Sequence, residues 1–364
     1  MNKSTVISAY AAYSLNLSER LASSSGGIFS LLAKKVLLGC GVIYGVAMSA
    51  DCRRAEFIRV SEEAELEKLR TSKYMQAHVG NTLRQVKEDL ENGLEVFFTG
   101  TCCQINALLG FLSMGKDVST VKEKYPNLSC VDVICHGVPS PALWRQYVGY
   151  VEEQNRARLV SVNFRCKDNS WVDFGMKEID DSHKELYVPK NMDPFMIMFL
   201  SDYCLRPSCY ECIVKKRKLS DLTLADFWGI ENVAPEMTDR KGTSLILVRT
   251  EKGKGLLDKI REEIKMKEVS YEDGVKYNPA EYRSAVRPVQ RDTFFDDMYH
   301  MAFEELKMKY GTPAPISIKR KIKLGVKKIL IKAGLCEGGG ITMASPMGYC
   351  LCFTLKERGR IGNN

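Results

Sequence analysis

Two short apolar runs in this chain each lead into a thiol-bearing turn and then a helix, and that repetition constrains the fold more than any other feature. Val96-Phe97-Phe98 passes through Gly100-Thr101 to Cys102-Cys103-Gln104, and a helical stretch from Ile105 to Leu112 follows. Val131-Asp132-Val133-Ile134 leads to Cys135-His136-Gly137, followed by a helix from Pro141 to about Val151. Strand, turn and helix in this alternation predict a βα-type sheet. In such sheets ligands collect beyond the carboxyl ends of the strands. Both thiol turns would then lie where a cofactor binds, and Cys209 and Cys212, a Cys-x-x-Cys pair, come from a loop that can close over the same edge. Four thiolates hold zinc or an iron–sulfur cluster. Cys102 and Cys204 are rival ligands, and buried inert thiols are the bland alternative.

The 13 cysteines among 364 residues sharpen the question of compartment. The stretch from Val6 to Leu17 is broken by Ser8 and Ser14 and does not read as an export signal, and no apolar run reaches bilayer length. A cytoplasmic protein with metal or redox chemistry is therefore expected, ahead of a disulfide framework. The formal charge of +8 is modest and gathers at Lys215-Lys216-Arg217-Lys218 and between Lys319 and Lys332. Such charge reads first as a solvated face and could also meet an acidic protein partner or membrane surface; no nucleic-acid partner is expected.

Further elements read from the sequence are a helix from Ile28 to Leu38 stopped by Gly39, strands at Val42–Met48 and Glu56–Val60, and a helix from Thr82 to Leu90. Beyond Val160 strand-like runs dominate, including Trp171 to Met176, with a short helix from Asp193 to Leu200. Leu222–Ala225 and Ser244–Val248 read as buried strands, with a helix near Leu256 to Ile264. The expected fold is thus mixed α/β, with a smaller strand-rich part. Residues 1–310 form the main domain and 311–364 a helical tail, where Ile318, Ile322, Val326, Ile329 and Ala333 share one stripe among lysines. That stripe fits peripheral membrane contact, a partner or the chain's own domain.

Ser23-Ser24-Ser25-Gly26-Gly27 before a helix is suited to an anion, because the free N–H groups and the helix dipole face outward there. Ser25 acting as a simple helix cap is the competing account. Thr71-Ser72-Lys73-Tyr74-Met75-Gln76 offers a cation, a ring and an amide in one loop. Gly110 to Asp117 misses the P-loop pattern, since Asp117 stands where the metal-binding hydroxyl belongs, and no dinucleotide glycine fingerprint occurs. His136 reads as structural or as a donor beside Cys135, and Asp226-Phe227-Trp228 as an acid and two rings at a strand end.

In combination these segments resemble the coenzyme F420 hydrogenase/dehydrogenase beta-subunit family. The matching pieces are Ser24 to Phe29, Ser72 to Gln76, Gly100 to Gln104, Val131 to Ser140, Arg206 to Cys212 and Asp226 to Gly229, in family order between Ser23 and Thr250. The resemblance implies a mixed α/β unit that binds FAD beside a 4Fe-4S cluster. Electrons would pass between a two-electron substrate (the deazaflavin coenzyme F420 or another compound) and a ferredoxin or similar iron–sulfur carrier. It further implies Cys103, Cys135, Cys209 and Cys212 as cluster ligands, and Ser24, Ser25, Gly26, Gly27, Ser72, Lys73, Tyr74, Gly100 and Thr101 as flavin contacts. The family usually has proline where Cys102 stands and glycine where Ala225 stands. Many relatives carry a ferredoxin-like unit ahead of this region; no cysteine precedes Ser23 here, so the resemblance is to a form without that unit. The alternative is a zinc-stabilised or metal-free binding protein of the same fold, acting through its basic tail.

Overall fold

The computed structural model describes residues 6–313. The expected amphipathic helix at 318–333 lies outside the described residues.

Among the described residues twelve strands build two sheets: β1 (Ser8–Ser14), β2 (Val42–Met48), β3 (Ala55–Val60), β4 (Ala77–His78), β5 (Val96–Thr101), β6 (Leu128–Val133), β7 (Leu159–Cys166), β8 (Gly175–Asp180), β9 (Glu185–Pro189), β10 (Leu222–Asp226), β11 (Ser244–Val248) and β12 (Ile264–Val269). Nine of them form one sheet in the order β12-β1-β11-β10-β6-β5-β2-β3-β4, while β7, β8 and β9 form a separate antiparallel sheet. The centre β2-β5-β6-β10 is parallel, as the strand–turn–helix alternation requires, and its flanks are largely antiparallel. The fold is mixed α/β, as expected.

Alternation along the central strands divides the core between two layers. Ile43, Phe97 and Val131 face the helix Ile28–Leu38 and Leu256. Tyr44, Phe98 and Cys130 face the opposite layer, which holds Trp144, Tyr147, Phe164 and Phe195. Both faces of these strands are buried, which is why Val96-Phe97-Phe98 reads as a continuous apolar run.

Several boundaries differ from the sequence reading. The helix after β5 spans Cys102–Ser113, because Thr101 and Gln104 form a reciprocal capping box. Cys102 and Cys103 therefore lie in the first helical turn rather than in a loop. Trp171 to Phe174 is a loop, and the strand begins at Gly175. The helix expected near 256–264 is Glu251–Asp258, capped by the Thr250 side chain, and Ile264 opens β12. Neither β1 nor β12 was expected. No helix among the described residues is long and apolar enough to cross a membrane.

Candidate functional site

Strands β5, β6 and β10 run parallel and β1 runs with them, so their carboxyl ends share one edge with the amino end of β11. The predicted site residues gather along this edge in two groups.

The first group surrounds the loop before the helix Ile28–Leu38. The Ser14 N–H donates to the Gly26 carbonyl at 2.7 Å, and the Gly26 N–H donates to Ser244 Oγ at 2.9 Å. The loop is thereby pinned between β1 and β11. A Cβ on Gly26 would stand 2.5 Å from the Ala12 carbonyl oxygen and 2.9 Å from the Ser244 nitrogen, so only glycine fits. Gly27, at φ +86°, caps the helix with no side-chain hydrogen bond. Ser25 is not the cap; its hydroxyl donates to the Thr243 carbonyl at 2.8 Å. The first helical N–H groups thus have no side-chain cap, as an anion cradle requires. Gly26→Ala is expected to cost about 1–3 kcal/mol through overpacking against backbone, read as a lowered denaturation midpoint; an unchanged midpoint would contradict the close approach.

Two more chain segments reach this loop, around Ser72 and around Arg165 and Lys167. The Ser72 N–H donates to Ser24 Oγ at 3.1 Å, which joins two of the predicted flavin segments. Lys167 Nζ donates to the carbonyls of Arg20, Ser25 and Lys241 at 2.8, 2.7 and 3.0 Å, and burial pulls its pKa down to about 7. Arg165 pairs with Asp226 at 2.9 Å and lies over the Phe174 ring at 3.7 Å. Trp228 stacks on Trp171 with centroids 5.1 Å apart, and the Trp171 indole N–H donates to Asp226. Phe227, by contrast, is core. Lys73 turns its ammonium back onto the carbonyls of Lys68, Arg70 and Thr71, and burial pulls its pKa to about 7. Three carbonyl acceptors favour the charged form there and work against that shift.

The second group holds the thiols. Cys103 is exposed on the first turn after β5, its sulfur 3.1 Å from Thr101 Oγ1, while Cys135 follows β6 directly. Gly100 lies under Gln104, whose amide oxygen would sit 2.7 Å from an added Cβ. Residues 138–140 run beside 204–206, with Arg206 N–H donating to Val138 and Ser140 N–H to Cys204, and this carries the Cys209–Cys212 loop toward Cys135. Burial pushes the Cys135 thiol up to about 12; Lys215 pulls the other way, and the charges of Cys103, Cys209 and Cys212 add to the rise. Burial likewise raises the Cys209 thiol, opposed by a backbone contact to Val138 and reinforced by Cys212 and Cys103. The four sulfurs thus share one electrostatic neighbourhood. Among the described residues, no set of three or more His, Cys, Asp or Glu side chains is drawn close enough to enclose a metal ion. The donor chemistry fits an iron–sulfur cluster: free thiols, partly buried except at Cys103, from three chain segments.

The rival ligands point elsewhere. The Cys102 thiol is buried and donates to the Val214 carbonyl at 3.3 Å, and Cys204 is fully buried in the core. His136 Nε2 is 2.6 Å from Asp202, and its ring meets Phe199 edge-on at 5.4 Å. Phe199 also packs on Tyr74 at 5.0 Å, so one buried ring joins the flavin segment to the Cys135 turn.

The basic run 215–218 is divided. Lys216 and Arg217 are exposed, whereas the Lys218 side chain is 2% exposed and pairs with Asp132 and Glu281. Lys215 is buried, its Nζ donating to the Cys135 carbonyl at 2.6 Å and to the Ala280 carbonyl. Burial pulls its ammonium down, while Cys135 and Cys212 push it up. The sequence reading missed Arg165 and Lys167 as site residues and took Lys215 for part of a surface run, because the partners of all three lie far away along the chain.

Residues 93–273 match the family described as the C terminus of the coenzyme F420 hydrogenase/dehydrogenase beta subunit. The matched region contains all four thiols and Gly100-Thr101, and leaves out the Ser24–Gly27 and Ser72–Tyr74 segments. No curated protein matches the chain. Among solved structures, a chain of the F420-reducing [NiFe] hydrogenase complex from Methanosarcina barkeri is similar, with a TM-score of 0.50 and 13% identity over 86% of this chain and 97% of that one. At that identity the likeness concerns fold.

Proposed function

The chain belongs to the coenzyme F420 hydrogenase/dehydrogenase beta-subunit family, and from that premise we propose that it is a flavin- and iron–sulfur-dependent oxidoreductase. Family membership makes it a beta-subunit-like redox protein, and the site residues support the cofactors and the partner. FAD would bind across Ser24–Gly27, Ser72–Tyr74 and Gly100-Thr101, and a 4Fe-4S cluster would be held by Cys103, Cys135, Cys209 and Cys212. When bound, the flavin supplies two-electron chemistry with the substrate, deazaflavin coenzyme F420 or another compound, and the cluster supplies one-electron transfer.

The observation that carries this reading is that Cys103 and Cys135, beyond the ends of β5 and β6, and the Cys209–Cys212 loop, tied to the Cys135 turn through residues 138–140 and 204–206, share the sheet edge that also bears the uncapped helix start at Gly27. The residues have separate tasks. Gly26 and Gly27 let backbone approach an anion closely, and Lys167 ties that loop in place. Phe199, fully buried, packs on Tyr74 and on His136 and so links the two groups. Around Cys212, Ile213 is 78% exposed and Lys216 and Arg217 face solvent, a cationic and apolar surface suited to an acidic one-electron carrier of the ferredoxin type.

Anaerobic purification followed by iron, acid-labile sulfide and flavin analysis tests the proposal. Iron and sulfide in near-equal amounts, with bound flavin, are expected in the wild-type chain, and Cys135→Ser should lose most of the iron and sulfide while keeping the flavin. Zinc without sulfide, or a colourless protein, would favour the binding-protein reading instead.

A further inference from the structure

We propose that Lys215 is the built-in counter-charge of the four-cysteine site, a positioning residue that raises the reduction potential of the cluster held there; the inference rests on the cluster reading above. The ammonium is buried and joins the Cys135 carbonyl, at 2.6 Å, to the carbonyl of Ala280. Both of these partners are neutral. The carboxylates nearby, Asp132 and Glu281, are taken by Lys218 and Arg249. A buried cation without a carboxylate partner is costly unless negative charge arrives from elsewhere.

The thiols supply that charge. Lys215 donates to the backbone of Cys135 from its ammonium and to the Cys212 carbonyl from its own N–H, so it sits between two of these ligands. They carry charge as metal ligands, since ligation requires the thiolate. Lys215 is therefore matched to the ligated state of the site and mismatched to free, neutral thiols. Reduction of a cluster adds one more negative charge to the same place. A fixed buried cation stabilises the reduced form over the oxidised one, because net charge and hydrogen bonding around the sulfurs set the potential. Its bond to the Cys135 carbonyl also anchors the turn that presents that sulfur. Lys216 and Arg217, one and two residues on, face solvent and are screened.

A redox titration monitored by electron paramagnetic resonance, on anaerobically purified full-length chain, tests this. Lys215→Met and Lys215→Gln remove the charge, the latter keeping a donor; Lys215→Arg keeps the charge. At fixed poise, the reduced-to-oxidised ratio of the cluster is expected to fall about tenfold in the two neutral variants, and to stay near the wild-type ratio in the arginine variant. Neutral variants that titrate with the wild type would overturn the proposal. Should the neutral variants lose the cluster, the arginine variant decides: restored loading at the wild-type potential supports it, and continued loss overturns it, since geometry rather than charge would then be the requirement. A wild-type chain without acid-labile sulfide would remove the underlying reading, and that result is seen before any variant is made.

Discussion

Replacing Glu281 with glutamine is expected to cost about 3–5 kcal/mol of folding stability, the cost of breaking a buried ion pair from one side. Glu281 accepts from Lys218 at 3.1 Å and from Arg249. Lys218 also faces Asp132 at 3.5 Å, Arg249 Nε donates to Thr223 Oγ1 at 2.7 Å, and that hydroxyl donates to Asp132. The result is a closed ring of two acids and two cations whose side chains are 0–3% exposed. Burial works against the Lys218 ammonium, but Asp132 and Glu281 outweigh it and hold its pKa above the ordinary value. Glutamine keeps the volume and leaves two buried cations sharing one acid. Urea denaturation reads the loss as a lowered midpoint at unchanged slope. The half-exposed pair Lys35–Glu263 serves as the control, where Glu263→Gln should cost less than about 1 kcal/mol. Equal effects at the two sites would show that the ring is not a concentrated source of stability. The ring joins β6, β10 and the segment after β11 to residues 279–281, so its loss should also loosen the Ala280 carbonyl that holds Lys215.

The second large effect concerns pH. Tyr147 Oη is 2.5 Å from Glu178 and 2.7 Å from Asp193, all three buried. One phenol proton cannot serve two carboxylates, so one acid must carry a proton of its own. Asp193 also accepts the Met196 N–H at the start of the helix Pro194–Leu200, which favours its charge. Glu178 has an unpartnered buried oxygen and is the acid that stays neutral. Burial raises its pKa from 4.5 to about 7, against the Tyr147 hydrogen bond and with help from Asp193.

Between pH 4.5 and about 7 the unfolded chain loses this proton and the folded chain keeps it. The stability linked to Glu178 is thus complete below its unfolded pKa, falls as pH rises through that window, and is gone above it. The fall amounts to roughly 3 kcal/mol at 1.36 kcal/mol per pKa unit. Glu178→Gln, neutral at every pH, should flatten this part of the stability profile and exceed the wild type at pH 8. Parallel wild-type and variant profiles would refute the assignment.

The parallel centre of the sheet was legible in the residues alone. Buried parallel strands read as continuous apolar runs, and the strand–turn–helix repeats at Val96 and Val131 carry their own local signals. The same local logic put Cys103 and Cys135 at strand ends and the Ser24–Gly27 loop ahead of a helix. The helix Ile28–Leu38 and its Gly39 stop were legible for the same reason. Strand β1 was not, because Ala9, Ala11 and Ala12 have little strand propensity, and what makes them a strand is close packing between β11 and β12. Strand β12 was hidden by its edge position, where Lys265 and Lys267 mask the apolar alternation.

Which charges are interior was not legible in the residues and follows from contacts between distant parts of the chain. Lys215 and Lys218 stand in a basic run that reads as solvated, yet Asp132 and Glu281, 86 and 63 residues away from Lys218, draw that side chain inside. A charge's environment depends on which distant groups reach it, and no local pattern encodes that. Cys102 and Cys103 make the same point at the shortest range: one helical step separates a buried thiol from an exposed one beside Cys135.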